Sequence, residues 1–199
     1  MIQIDRALLL EIGNCRQCML GIRSPDMYAG QKYSIGTGPH VMFIGEAPGE
    51  FEGKKKIPFI GRSGRVLQTW IDYLGITNYL ITNAVKHRPT NGIKNLTPTA
   101  EEVSICTDRF LIHEIEDYKP DLIIFVGRIS ASIFSDGTKS MSFLVRDSME
   151  NNLTYMGYPI RIIYHPAFVL RTGYDMKWVL DSLKEKLDSI ENFKYTSKI

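Results

Sequence analysis

A disulfide framework, a membrane span and an export signal are all missing from this sequence. It holds only three cysteines, Cys15, Cys18 and Cys106, and an odd number in a chain without an export signal argues against a disulfide scaffold. No apolar run approaches the ~20 residues that a membrane-spanning helix needs, so no membrane association is expected. The opening stretch, Met1-Ile2-Gln3-Ile4-Asp5-Arg6, has no basic segment leading into an apolar core, and the expected location is therefore cytoplasmic. Charge imbalance is small too. Lysine and arginine total 24 against 22 acidic residues, a net charge of +2, too little to imply nucleic acid by itself. Internal repeats, low-complexity stretches and interdomain linkers are also lacking. What is present, 199 residues of which 44% are hydrophobic, can bury a real core. The expectation is one domain over 1–199, with an N-terminal segment at 1–25 and a polar tail at 191–199.

Apolar runs at Val41–Ile44, Tyr79–Thr82, Leu122–Val126 and Ile160–Tyr164 read as strands. The third is apolar on both faces, as a central parallel strand should be. Helical patterns fill the gaps: Ile4–Ile12, Gly64–Leu74, Ala100–Tyr118, Arg128–Phe134 and Asp175–Ile190. The Ala100 helix opens on the capping-box spacing Thr99-x-x-Glu102 and stops before Lys119-Pro120. Strands alternating with helices predict an α/β fold with a parallel, doubly wound sheet. Ligands of such sheets bind beyond the carboxyl ends of the strands. Here each of those ends runs straight into glycine, polar or basic residues, at Gly45, Asn83, Gly127 and His165.

The loop Gly45-Glu-Ala-Pro-Gly49-Glu-Phe-Glu52 is the centre of this pattern, bringing three carboxylates to a strand end and leading to Pro58-Phe59-Ile60-Gly61. Asn83 carries two donors and an acceptor on one amide and can read a planar heterocycle. Phe59 offers a flat stacking face, His165 an imidazole and Glu46 a carboxylate. One stacker, one amide reader, one carboxylate and one imidazole suit a nucleobase pocket, although Phe59 also reads as a core aromatic and His165 as a structural donor. His40 opens a strand and His113 lies on a helix, and neither invites a role. Lys54–Lys56, Arg62, Arg65, Lys86, Arg88 and Arg171 fall in loops at the same edge, as a phosphate-facing rim would. Cys15-x-x-Cys18 has metal-type spacing and also fits a redox pair.

Gly45-Glu-Ala-Pro-Gly49, Pro58-Phe-Ile-Gly61, Thr82-Asn-Ala-Val-Lys86 with Arg88-Pro89, and His165-Pro-Ala-Phe-Val-Leu-Arg171 together resemble the family 4 uracil-DNA glycosylases, in order and spacing, from Cys15 to about Trp178. The resemblance implies a three-layer α/β/α sandwich around a four-stranded parallel sheet. It implies a monomeric enzyme that flips uracil out of single- or double-stranded DNA and cuts the N-glycosidic bond to leave an abasic site. By the same resemblance, His165 would donate to uracil O2, Asn83 would bond O4 and N3, and Phe59 would stack on the ring. Gly45 and Ala47 would border the base. Glu46 and Glu52 would orient water or stabilise the cationic sugar. Leu170 would wedge into the duplex beside Arg171, with Arg62, Lys86 and Arg88 also on DNA.

The family resembles itself further in a four-cysteine iron–sulfur cluster. Cys15, Cys18 and Cys106 match three of its ligands, and His87 stands at the fourth. Histidine ligates iron in Rieske-type clusters, so a 4Fe-4S cluster is expected, with a Cys₃His zinc site as the alternative. A related branch captures uracil covalently through a histidine in the next loop. Arg88–Thr97 contains none, which excludes that chemistry. Gly53 and Lys56 stand where the family has an acidic residue and a glycine, so the loop setting and base range can differ. The competing readings are a non-catalytic DNA-binding or replication-associated module and a glycosylase for another deaminated base.

Overall fold

Helix α1 (Arg6–Asn14) begins where the Asp5 carboxylate accepts from the Ala7 and Leu8 amides, and so caps its first turn. The computed structural model of the chain describes residues 5–196, with side chains to residue 190; the expected helix start at Ile4 lies outside them. A short α2 (Met19–Arg23) follows the Cys15/Cys18 loop, then strand β1 (Lys32–Ser34). Four strands pair in parallel: β2 (Val41–Gly45), β3 (Tyr79–Asn83), β4 (Leu122–Val126) and β6 (Tyr158–Ile163). They are the four apolar runs of the sequence.

The expected four-stranded sheet needs correction. The described residues form six strands in the order β1-β3-β2-β4-β6-β5. β1 and the two-residue β5 (Thr154–Tyr155) add to the two edges antiparallel. Both additions are short, polar in part and half-buried, so they carry no apolar run to betray them. They also cover edges that would otherwise offer unpaired backbone groups.

Helices cover both faces. Between β2 and β3 lie α3 (Glu50–Lys55) and α4 (Arg62–Tyr73). The first is an addition to what was read as loop. It has Glu50 and Glu52 in its first turn and Lys54 and Lys55 in its last, the charge order a helix dipole favours. Gln68 of α4 meets Lys32 and Tyr79 on one face of the sheet, while Tyr33 and Leu80 face α1 and the long helix on the other. That helix runs as α5 (Ala100–Cys106), a π turn at Thr107–Leu111 and α6 (Ile112–Tyr118). Its expected capping box is present, with Thr99 Oγ1 accepting from the Glu102 amide and Glu102 from the Thr99 amide. The Arg128 helix is shorter than expected, α7 (Arg128–Ala131), and α8 (Met141–Glu150) was not anticipated. α9 (Pro166–Thr172) and α10 (Lys177–Thr196) close the fold. Helix α10 carries the expected tail as far as Thr196; residues 197–199 lie outside the described part. The main core packs α4, α6, α8 and α10 on the sheet through Leu67, Ile71, Ile115, Val145, Val179 and Leu183. A second, smaller cluster gathers Ile12, Leu20, Ala84, Val85, Val103 and Phe110 under the N-terminal segment.

Candidate active site at the carboxyl edge of the sheet

Parallel register decides which residues meet. Gly45 pairs with Asn83 across β2 and β3, and the Gly127 amide donates to the Ile163 carbonyl at 2.8 Å just before His165. The bare Cα of Gly45 is what lets Phe59 and Asn83 come together. A Cβ there would lie 2.3 Å from the Phe59 ring and 2.6 Å from Asn83 Oδ1, so the aromatic face and the amide meet over this one residue. Phe59 and His165 rings lie 5.9 Å apart at 41°. Gly127 backs the imidazole from behind, with φ 94° and room for no Cβ, which would sit 2.8 Å from that of His165.

Each polar group here is set by its partners. His165 caps α9, its Nδ1 accepting from the Ala167 amide at 3.1 Å. With Nδ1 an acceptor, the ring proton resides on Nε2, and burial lowers the imidazole pKa to about 4. The ring is thus a neutral donor at physiological pH. Asn83 is buried, and its Oδ1 has no hydrogen-bond partner among the described residues. A buried acceptor left unmet costs about 1–3 kcal/mol, so the site is built for a donor it does not itself contain. Phe59 holds a left-handed backbone, φ 51°, uncommon for a bulky residue and typical of functional positions.

The two carboxylates differ. Glu52 Oε1 accepts from the Gly61 amide at 2.9 Å, fastening α3 to the N-cap of α4 and setting the Pro58–Gly61 turn. Burial raises the pKa of Glu46 above the usual carboxylate range. Asn95, a residue the sequence reading missed, stands beside this loop: a Cβ on Gly49 would be 2.7 Å from Glu52 Oε2 and 3.9 Å from Asn95 Nδ2. Nothing in its sequence surroundings marks it, since it lies twelve residues beyond the strand end it serves.

The expected basic rim is only partly a rim. Arg62 and Arg171 are exposed, as is Leu170 at 46%. Lys86 is not: it is wholly buried, and its ammonium donates to Thr82 Oγ1 at 2.6 Å, the Asn83 carbonyl at 2.9 Å and Glu114 at 2.7 Å. Its assignment to DNA contact is therefore withdrawn. Arg88 is also buried, with Nε on Asn95 Oδ1 at 2.7 Å and Nη2 3.5 Å from Glu50; it braces the edge from below.

Cys15, Cys18, His87 and Cys106 line one small cavity between the N-terminal segment, the loop after β3 and the end of α5. Residues 27–29 pair with 86–88, Ala29 N–H to the Lys86 carbonyl and Arg88 N–H to that of Met27, which carries the first two cysteines to the others. All three thiols are free, and His87 Nε2 is buried without a partner among the described residues. Burial pushes the Cys106 thiol up to about 12, opposed by the nearby Lys86 ammonium and by its amide, which donates to Sγ at 3.3 Å. An amide donor on the sulfur and a cation nearby, with an orphaned imidazole nitrogen in the same cavity, suit a thiolate- and imidazole-ligated group. Among the described residues, no three or more His, Cys, Asp or Glu side chains are arranged around a single ion.

The two departures in the loop have structural compensation. Lys56 takes the left-handed conformation, φ 63°, that a glycine would adopt freely, and its ammonium lies 3.6 Å over the Tyr28 ring and bonds the Asp26 carbonyl. Gly53 rests on Met27, where a Cβ would come within 3.1 Å of the backbone. The loop is thereby tied to the N-terminal segment.

A mixed sheet whose parallel strands end in a neutral imidazole, an unmet amide acceptor and an aromatic ring defines the carboxyl edge of an α/β fold. Comparison with known proteins narrows the class. The profile of the uracil DNA glycosylase superfamily matches residues 34–188. The type-4 uracil-DNA glycosylase of Thermotoga maritima is 35% identical over 163 residues, 80% of each chain. That of Saccharolobus solfataricus is 33% identical over 202 residues, covering 94% of this chain and 90% of its own, and that of Archaeoglobus fulgidus is 32% identical over 171 residues, 82% and 81%. The chain belongs to the uracil DNA glycosylase superfamily and, within it, to the type-4 uracil-DNA glycosylases.

Proposed function

We infer that the protein is a DNA repair glycosylase that takes uracil out of the stack and hydrolyses its N-glycosidic bond. The observation that carries this reading is the buried, partnerless Asn83 Oδ1 facing Phe59 across Gly45. Uracil N3–H is the donor this acceptor lacks, and the amide Nδ2 then meets uracil O4. Cytosine presents an acceptor at N3 and a donor at position 4, the reverse pattern. Two buried mismatches of that kind are heavily penalised. Phe59 stacks on the ring, and Gly45 and Ala47 border it.

As the C1′–N1 bond lengthens, positive charge grows on the sugar and negative charge on uracil. His165, neutral with its proton on Nε2, donates to O2 and stabilises the anion without titrating. A preorganised donor of this sort contributes typically ~3 kcal/mol of barrier. Glu46, partly desolvated, faces the developing cation and accepts a proton from the water that forms the new C1′–O bond. Uracil leaves as its anion and takes up a proton from solvent. Glu52, held by the Gly61 amide, sets the loop. Leu170 fills the space the base vacates, and Arg62 and Arg171 lie along the phosphates.

In this reading Cys15, Cys18, His87 and Cys106 hold an iron–sulfur cluster, with zinc as the alternative. When bound, that group supplies a structural cross-link and no part of the bond cleavage. Residues 1–199 work as one unit and as a monomer, the N-terminal segment being joined at Cys15 and Cys18 through the cavity. Substrate range tests the whole: labelled oligonucleotides carrying one U, T, C or hypoxanthine, with alkali cleavage at the abasic site. Cleavage at U alone, lost in His165→Ala and Asn83→Ala, is expected. Cleavage only at another base would move the specificity, and none anywhere would leave a DNA-binding module.

A further inference from the structure

Among the large apolar side chains of the described residues, Ile93 is the most exposed, at 89%. A lone exposed isoleucine is ordinary. This one is held out on a rigid mount. Thr90 and Asn95 pair antiparallel, and the Thr90 hydroxyl donates to the Lys94 carbonyl at 2.9 Å while accepting from the Gly92 amide at 3.0 Å. Asn91 Oδ1 accepts from the amides of Ile93 and Lys94 at 3.1 and 3.0 Å. Gly92, φ 91°, makes the turn, and the Leu96 amide closes the base on the Pro89 carbonyl at 2.8 Å. Below, buried Arg88 grips Asn95, which stands beside Gly49 of the loop after β2. The apex is therefore fixed relative to the pocket.

Its position matters. The hairpin rises from the end of β3, and Leu170 from the end of β6, with β2 and β4 between them. The hairpin base is braced on the loop after β2, through Arg88 to Glu50 and Asn95 beside Gly49, while Leu170 follows β6, beyond β4, so the two apolar tips rise from different strand ends of the same sheet edge. We propose that the Thr90–Asn95 hairpin is a second DNA-gripping element, in which Ile93 packs on a base face of the uracil-bearing strand flanking the extruded nucleotide and Lys94 neutralises one phosphate. Apolar tips find such faces where flipping has unstacked the neighbours. DNA is then held on both sides of the lesion, by Leu170 and by Ile93. This rests on the glycosylase reading above.

Ile93→Ala removes no core contact, so its melting temperature should match the parent, which checks folding. On a long uracil duplex it should lower kcat/KM roughly fivefold with kcat little changed. The loss should vanish when flanking DNA is trimmed to one nucleotide on one side of uracil, and persist when the other side is trimmed. Leu170→Ala should stay impaired on both. Lys94→Ala should lower the slope of log affinity against log salt by about one. Ile93→Ala within twofold of the parent on the long duplex, with Leu170→Ala impaired, would overturn the proposal and leave the enzyme reading intact. If the parent cleaves no uracil, the enzyme reading falls instead. Anisotropy with the same oligonucleotide then decides the hairpin: weaker binding by Ile93→Ala supports it, and equal binding overturns it.

Discussion

Asn83 and His165 reach the same pocket by different constraints, and the difference predicts how each fails. His165 is locked by its bond from the Ala167 amide, so Asn and Gln cannot reproduce both the cap and the Nε2–H donor. His165→Asn should cost about 10²–10³ in kcat with KM nearly unchanged, because the donor matters most as charge develops. Asn83→Asp should instead forfeit uracil recognition and permit cytosine, measured as the ratio of kcat/KM on U and C substrates. In the proposed mechanism the acid limb of the pH–rate profile is set by Glu46, whose pKa burial raises above the ordinary carboxylate value. Activity should fall as pH drops through that raised value, and Glu46→Gln should flatten the limb while lowering the plateau. His165 adds a stability effect with a definite sign. Its folded pKa, about 4, lies below the unfolded value of 6.5, so the unfolded state binds more protons in between. Its contribution is complete above pH 6.5 and is lost as pH falls toward 4; urea midpoints across that window read it.

The segment Thr82–Arg88 shows what local sequence can and cannot say. Its apolar strand and following asparagine are legible from pattern alone. That Lys86 points inward is not, because a lysine after a strand end normally stays in water. Its burial depends on Glu114, twenty-eight residues away on α6, beyond the π turn at Thr107–Leu111. One residue thus joins the carbonyl of Asn83 and a helix through its ammonium and the sulfur of Cys106 through its amide. Removing one charge strands the other: Lys86→Met should destabilise by about 3–5 kcal/mol, and Lys86→Met with Glu114→Leu should recover most of that. Denaturant unfolding of the two variants tests the pair. No helix among the described residues is long and apolar enough to cross a membrane.

Taken as a whole, the molecule is a sheet with a stitched-on N-terminal segment, and the stitch should be separable from the core. Stripping the group proposed at Cys15, Cys18, His87 and Cys106 with an oxidant and chelator should raise hydrogen exchange in residues 15–29 and 84–106 first. Strands β2 and β4, wholly buried, should keep their protection. The untreated protein should be brown, with iron and sulfide in near-equal amounts; a colourless protein with one zinc would reassign the site.

Sequence by itself determined the four parallel strands, the polar residues at their carboxyl ends and the family, because apolar runs and turn motifs are local and carry their own signal. Tertiary structure alone decided the two antiparallel edge strands, the inward turn of Lys86 and Arg88, the different surroundings of Glu46 and Glu52, and the placing of Asn95 and Ile93. Each of these depends on contacts between residues far apart in the chain. Register across the sheet and the burial of a charge against a distant partner are set by packing, and no single stretch of sequence contains them.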